Sequence, residues 1–250
     1  LKEFQATANK IEMARVLSLI GNVHYRQAQY ESSLESYRQA LALREEMQDR
    51  SGQGDILAGI GSTLLRQKNS SDALDSFQKA LGLFNSDQNE ERMAEVLTRV
   101  SETFFLQNDY AKALNAAESA MTIATRLDNR EVLWYARMLA GKAHQKLENG
   151  PQAHESFTGA ISIVESLRSE PSVLGAGDHN RSLPYLSAID FLLSQHRPAE
   201  AFHYAERAKV QMLVDLLRHS NALTNKGLSA AQHLEEQRLS GEVASLEIQL

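Results

Sequence analysis

Residues 72–80, which read DALDSFQKA, decide the fold, because their alanines and their aromatic ring belong to columns that recur along the chain. The final alanine recurs every forty residues, as Ala40, Ala80, Ala120 and Ala160. The large residue before it keeps the same step, with one alanine in place of the ring, as Tyr37, Phe77, Ala117 and Phe157. Small residues fill a third column, as Gly21, Gly61, Ser101 and Gly141. Agreement across these columns indicates an internal repeat with a period of forty residues.

Each repeat is predicted to form two antiparallel helices, which in the first unit cover residues 11–28 and 31–48. Polar, turn-forming residues separate the paired helices, at 29–30, 68–70, 108–110 and 149–151. One such hairpin cannot bury its apolar face alone, but stacked neighbours can. The sequence therefore predicts an all-α fold, a right-handed α-solenoid of about five antiparallel helical hairpins followed by a long C-terminal helix.

The repeat register also predicts how the chain is divided. Residues 1–10 would end a truncated preceding repeat, so that the chain would begin inside a longer array. The solenoid would cover residues 11–219, with repeats at about 11–50, 51–90, 91–130, 131–168 and 179–219. Ala160 and Ala208 lie forty-eight residues apart, which places an insertion of eight extra residues within 169–178. Residues 220–250 would form a linker and a long helix, whose apolar stripe could cover the groove or lead into a further domain.

Composition excludes several classes of protein. The net charge is −6 with mixed signs, which does not fit a general nucleic-acid binder, and there are no cysteines for disulfides or thiolate metal sites. The eight histidines lack the spacing of zinc ligands, and the glycine pairs at 59–61 and 175–177 lack the strand that a dinucleotide loop needs. The sequence predicts no cofactor, no metal ion, no membrane partner, a cytoplasmic location and no enzyme activity within these residues.

Residues 12–168 resemble the tetratricopeptide repeat in their large apolar residue, glycine, aromatic ring and alanine. The usual period of that family is 34. The period here is 40, which resembles the long-period variety in kinesin light chains and many bacterial regulators. The proline that usually closes the repeat is replaced, by Glu45, Asn85, Thr125 and Glu165. The replacement fits second helices that run longer before the chain turns.

Residues 201–217, which read AFHYAERAKVQMLVDLL, carry a second resemblance. They look like the last repeat helix before the caspase-like peptidase domain of bacterial CHAT proteins. Such a peptidase uses a His/Cys pair, and a chain without cysteine does not contain it. The resemblance therefore implies a neighbouring effector, as a following domain or a separate protein.

The resemblance to tetratricopeptide arrays implies that an extended peptide or partner domain binds the concave wall made by the first helix of each repeat. In this register the peptide-binding groove would contain Asn22, Tyr25, Arg26, Ser62, Arg66, Arg99, Glu102, Phe105, Met138, Lys142 and Lys146. The amide of Asn22 both donates and accepts, so it is suited to clamp a peptide backbone. The basic side chains favour an acidic ligand through charge-assisted hydrogen bonds.

Two other readings stay open beside a groove that regulates an attached or associated effector. The array could act as a structural spacer, or as a scaffold that self-associates through its unpaired repeat ends. It could also be a regulator whose groove senses a signalling peptide.

Overall fold

The computed structural model describes the backbone of residues 2–167 and 181–224, and these residues contain helices and turns but no strand. The helices are α1 (Lys2–Arg26), α2 (Tyr30–Glu46), α3 (Arg50–Arg66), α4 (Ser70–Ser86), α5 (Glu90–Leu106), α6 (Tyr110–Arg126), α7 (Arg130–Lys146), α8 (Gly150–Ser166), α9 (Leu183–Ser194) and α10 (Pro198–Thr224). Each odd-numbered helix, here called a first helix, pairs with the even-numbered second helix that follows it. The prediction of an all-helical α-solenoid is confirmed.

The forty-residue period arises from helices of equal length. From α2 to α8 every helix has 17 residues, and each begins twenty residues after the one before. The chain turns at a residue of positive φ, between 51° and 64°, at Ala28, Gln48, Lys68, Gln88, Asn108, Asp128, Glu148 and His196. A left-handed residue of this kind ends a helix by satisfying its last carbonyl groups.

Side-chain caps start most of the following helices. Five capping side chains accept a hydrogen bond from the backbone N–H three residues later, those of Asp49, Asn69, Asn89, Asp109 and Asn129. Short polar residues are the preferred caps because their oxygen satisfies an otherwise unpaired amide. The polar turns of the sequence therefore encode both the end of one helix and the start of the next.

Glycine and aromatic rings interlock inside three of the hairpins. A Cβ atom added to Gly21 would lie 2.8 Å from the ring of Tyr37, and one added to Gly61 would lie 2.6 Å from the ring of Phe77. The same contact links Gly141 with Phe157, also at 2.6 Å. The glycine column is therefore explained by the close approach of a ring to the backbone of the first helix.

In the third hairpin both residues of this contact are replaced, the glycine by Ser101 and the ring by Ala117. Ala117 replaces the ring, and Ser101 occupies the space that the ring would need, with both side chains fully buried. The Ser101 hydroxyl donates a hydrogen bond of 2.8 Å to the carbonyl oxygen of Ala113 on the second helix. Loss of the ring and gain of the serine therefore compensate each other.

Helix boundaries differ from the sequence prediction at both ends of the chain. Helix α1 runs without a turn from Lys2, so residues 2–10 continue the first helix instead of ending a separate one; no proline or glycine interrupts them. Helix α10 continues to Thr224, past position 220 where a linker was predicted, because the first glycine after its start is Gly227. The predicted insertion at 169–178 and the predicted helix at 229–250 lie outside the described residues.

Candidate peptide-binding groove

The first helices form a continuous inner wall. Within the described residues, each of α1, α3, α5 and α7 contacts the next first helix, up to α9, whereas no two second helices contact each other. In a curved stack, the layer whose members approach each other lies on the inside of the curve. The wall that tetratricopeptide arrays use for binding is therefore built from these five helices.

The wall carries a cavity of about 580 Å³ to which α1, α3, α5, α7 and α9 all contribute. Seven of the predicted groove residues line it: Asn22, Tyr25, Arg26, Ser62, Arg66, Arg99 and Glu102. Tyr135 of α7 and Leu183 of α9 complete its far side. Side chains that lie more than a hundred residues apart in sequence therefore share one recess.

An adjoining cavity of about 300 Å³ contains two more predicted residues, Phe105 and Lys142. It shares the polar side chains of the larger cavity, and its other walls are apolar. Those apolar side chains are Leu65, Leu106 and Leu139. A ligand side chain here would meet a cation beside an apolar surface.

Polar contacts tie neighbouring first helices together at the base of the larger cavity. The Nε atom of Arg66 donates to the Tyr25 hydroxyl at 3.1 Å, which links α3 to α1. On α5, Arg99 donates to Glu102 at 3.0 Å. The Tyr135 hydroxyl of α7 donates to the other oxygen of Glu102. The Arg99 guanidinium also lies over the Tyr135 ring, 5.9 Å from its centroid.

Burial and charge fix the protonation of this network. Burial alone would lower the pKa of Arg99, but the charge and the hydrogen bond of the Glu102 carboxylate oppose it, and the pKa is raised. Burial raises the pKa of Tyr135, and Glu102 raises it further. The hydrogen bond to Tyr25 raises the pKa of Arg66. Both guanidiniums therefore stay charged, and Tyr135 stays a neutral donor, throughout the physiological range.

The cations of the wall differ in how far they are neutralised. Glu102 balances Arg99 within the chain. Arg66 donates its hydrogen bond to the neutral Tyr25 hydroxyl and feels the Glu102 carboxylate only at longer range. Among the described residues, no carboxylate forms an ion pair with Arg66 or Lys142. Because the Nε atom of Arg66 is already held, its two terminal nitrogens remain for a carboxylate in the cavity.

Asn22 is less free than the sequence suggested. Its side-chain oxygen accepts a hydrogen bond of 2.8 Å from the Tyr37 hydroxyl. Tyr37 is a core residue of the first hairpin, with 3% of its surface exposed. Asn22 is therefore fixed in orientation, and its amide N–H groups are the part that can meet a ligand.

Two predicted groove residues lie elsewhere. Met138 is wrong as a groove residue because its side chain is only 1% exposed and belongs to the hydrophobic core with Trp134 and Leu139. Its column is open at Ser18 but closes toward the C-terminus, where first helices approach each other more closely. Lys146 is exposed at the end of α7 and lines neither of the two cavities.

The sequence prediction missed a column of the wall. Asp55, Glu95 and Tyr135 are forty residues apart and line a further recess of about 350 Å³. Arg92 pairs with both carboxylates, at 3.3 Å to Asp55 and 2.8 Å to Glu95. The repeat register carried the signal, because the column lies seven residues before that of Asn22, Ser62 and Glu102, and so on the same side of each first helix.

The tetratricopeptide repeat family matches residues 12–86 and 54–126. The matched region therefore contains tetratricopeptide repeats. No curated protein sequence matches the chain. Among the described residues, no group of histidines and carboxylates is placed to hold a metal ion, and no helix has the length and apolar character needed to cross a membrane.

Several solved structures share the fold at low sequence identity. BtubC (BKLC) from P. vanneervenii is 14% identical with a TM-score of 0.66, over 87% of this chain and 91% of that one. A putative kinesin light chain of Podosopora anserina is 10% identical with a TM-score of 0.61, over 80% and 95%. A Rap protein solved in complex with Competence and Sporulation Factor is 14% identical with a TM-score of 0.68, over 81% of this chain and 54% of that one. At these identities the likeness concerns the fold alone.

Proposed function

We propose that the inner wall binds an extended acidic segment of a partner protein, and that binding regulates an attached or associated effector. The observation that carries the proposal is the recess of about 580 Å³ in which side chains of five successive first helices meet around Arg66. A Rap protein of the same fold was solved in complex with Competence and Sporulation Factor, so this kind of solenoid can hold a ligand.

Charge supports an acidic ligand. Arg66 lines both cavities and Lys142 lines the smaller one, and neither forms an ion pair with a described carboxylate, whereas Arg99 pairs with Glu102. A carboxylate that meets Arg66 would replace water with a charge-assisted hydrogen bond, which is worth about 1.5–3 kcal/mol. The apolar walls beside Lys142 favour an apolar residue next to the acidic one in the ligand.

The role of the effector rests on the segment at 201–217 that resembles the last repeat of CHAT proteins. In CHAT proteins the corresponding helix leads into the effector domain. By analogy, a ligand on the inner wall would act on the effector by changing the position of α10. We propose a bacterial regulator of this kind, in the cytoplasm, with an effector that follows the array or binds to it.

Binding can be tested with labelled peptides of acidic, neutral and basic composition, measured by fluorescence anisotropy. We expect the acidic peptides to bind, and Arg66→Ala to weaken their binding about tenfold to a hundredfold, as the energy of one such hydrogen bond implies. The matched control is Arg38→Ala, because Arg38 is exposed on the outer helix α2 and should leave binding unchanged. Equal binding by both variants and the wild type would contradict the proposed groove.

A further inference from the structure

Helix α1 presents an apolar stripe that no described residue covers. Met13, Val16 and Ile20 follow one another on one side of the helix and are 55%, 43% and 40% exposed. Val23 continues the same side and is 51% exposed. Soluble proteins rarely leave a contiguous apolar patch open unless it forms an interface. The α1 stripe is defined here as Met13, Val16 and Ile20.

The same columns are covered in the later first helices. Val16 corresponds to Ile56 and Val96, each 3% exposed, and Ile20 corresponds to Val100, which is 7% exposed. Each of these helices packs against the second helix that precedes it, as α3 does against α2 and α5 against α4. The repeat therefore shows what kind of surface fits the α1 stripe, namely the outer side of a second helix.

The contact between α4 and α5 shows which residues of a second helix make that surface. Phe84 and Leu74 of α4 lie in one hydrophobic cluster with Val96 and Val100 of α5. Phe84 follows the repeat alanine Ala80 by four residues, and Leu74 precedes it by six. The surface of α4 that covers α5 therefore has an apolar residue at each of these two positions.

Helix α10 has an apolar residue at both of these positions and no described first helix to cover. Relative to its repeat alanine Ala208, Met212 lies four residues later and Phe202 six residues earlier. Met212 is 48% exposed, although its counterpart Phe84 is 1% exposed, and Phe202 is 66% exposed, although its counterpart Leu74 is partly buried. The α10 stripe is defined here as Phe202 and Met212. It is the register counterpart of the surface that the α1 stripe lacks.

We propose that a second copy of the chain binds end to end, with the α10 stripe of one copy packed on the α1 stripe of the next. The contact would continue an interface that already occurs inside the chain, between α2 and α3, α4 and α5, α6 and α7, and α8 and α9. An interface between two different surfaces leaves one free stripe at each end of a pair, so further copies can add in series. The inner wall stays open in this arrangement, because neither stripe contributes to its cavities.

The test measures the mass of the 250-residue chain by light scattering after size exclusion, from about 1 to 200 μM, the range of weak association. We expect the mean mass to rise steadily with concentration. Val16→Glu/Ile20→Glu should abolish the rise, and so should Phe202→Glu/Met212→Glu. Circular dichroism should show unchanged helix content in both variants, because all four side chains are at least 40% exposed. Leu127→Glu is the matched control, an equally exposed leucine outside both stripes that should leave the association intact.

Mixing the two double variants distinguishes end-to-end binding from binding between two identical stripes. An equimolar mixture should form a species of twice the monomer mass and nothing larger, because it offers one intact α1 stripe to one intact α10 stripe. Association of the α10 variant alone would show that two α1 stripes bind each other, and it would overturn the proposal. A wild-type chain that stays monomeric at every concentration, or a mixture that stays monomeric, would overturn it as well.

Discussion

Exchange of one glycine and one ring in the second hairpin tests how the repeat is packed. Gly61 touches the ring of Phe77, and the third hairpin has Ser101 and Ala117 at the same two positions. Gly61→Ser places a Cβ atom 2.6 Å from the nearest ring atom, so the single variant must shift the ring or the helix. Overpacking of this kind costs about 1–3 kcal/mol. Phe77→Ala removes a fully buried ring, which costs about 3–5 kcal/mol.

The double variant should be more stable than the sum of the two costs predicts. With the ring gone, a serine at position 61 has room and can donate to the carbonyl oxygen of Ala73, as Ser101 donates to Ala113. Residues in direct contact commonly couple by about 0.5–3 kcal/mol. We expect a favourable coupling of at least about 1 kcal/mol, because both the clash and part of the cavity are removed.

The assay is urea unfolding followed by far-UV circular dichroism for the wild type, both single variants and the double variant. Similar slopes against urea across the four proteins would show that the same surface unfolds in each. The reasoning would be refuted if the two costs simply added, because the serine and the missing ring would then not share one space.

Four further variants test other parts of the structure by the same unfolding assay. Met138→Ala should lower the free energy of unfolding by about 2–5 kcal/mol because its side chain is buried in the core, and a loss below about 0.5 kcal/mol would place it on the surface after all. Asn129→Ala should cost about 1 kcal/mol through loss of its cap, whereas Asn149→Ala, whose side chain makes no capping bond, should cost much less; equal losses would contradict the capping assignment. Burial raises the pKa of Asp55 despite the opposing charge of Arg92, so stability present at low pH is lost as the pH rises through that pKa. Asp55→Asn should therefore be more stable than wild type at pH 7, and this difference should shrink toward pH 4; a constant difference would refute the effect of burial.

Most of the fold was predictable because each repeat column has a local physical reason. Glycine faces a ring, alanine lies between helices, and polar residues cap the turns, so the same pattern returns every forty residues. The continuous start of α1 was not predictable from that register, since residues 1–10 align with 41–50, where a second helix ends and the chain turns. Helix α10 is likewise longer than the other second helices, because its sequence contains no glycine or proline between Pro198 and Gly227.

The groove was predictable only in part, because a column does not keep one environment along a curved stack. Asn22, Ser62 and Glu102 share a column and line the same recess. The column of Ser18 ends in the core at Met138, where the first helices come closer together. The pairing of Arg66 with Tyr25 depends on the distance between neighbouring helices, and the sequence does not specify that distance.

The most direct test of the binding wall is a pull-down with the 250-residue chain as bait, read by mass spectrometry. The wild type is compared with an Asn22→Ala/Arg66→Ala/Arg99→Ala variant and with an Arg38→Ala/Lys79→Ala control on the outer helices. Each bait is first checked for the same helix content and the same melting temperature. We predict a partner with an acidic segment that the wild type and the control retain and the inner-wall variant loses. Identical partners for all three baits would contradict the inner wall as the binding site.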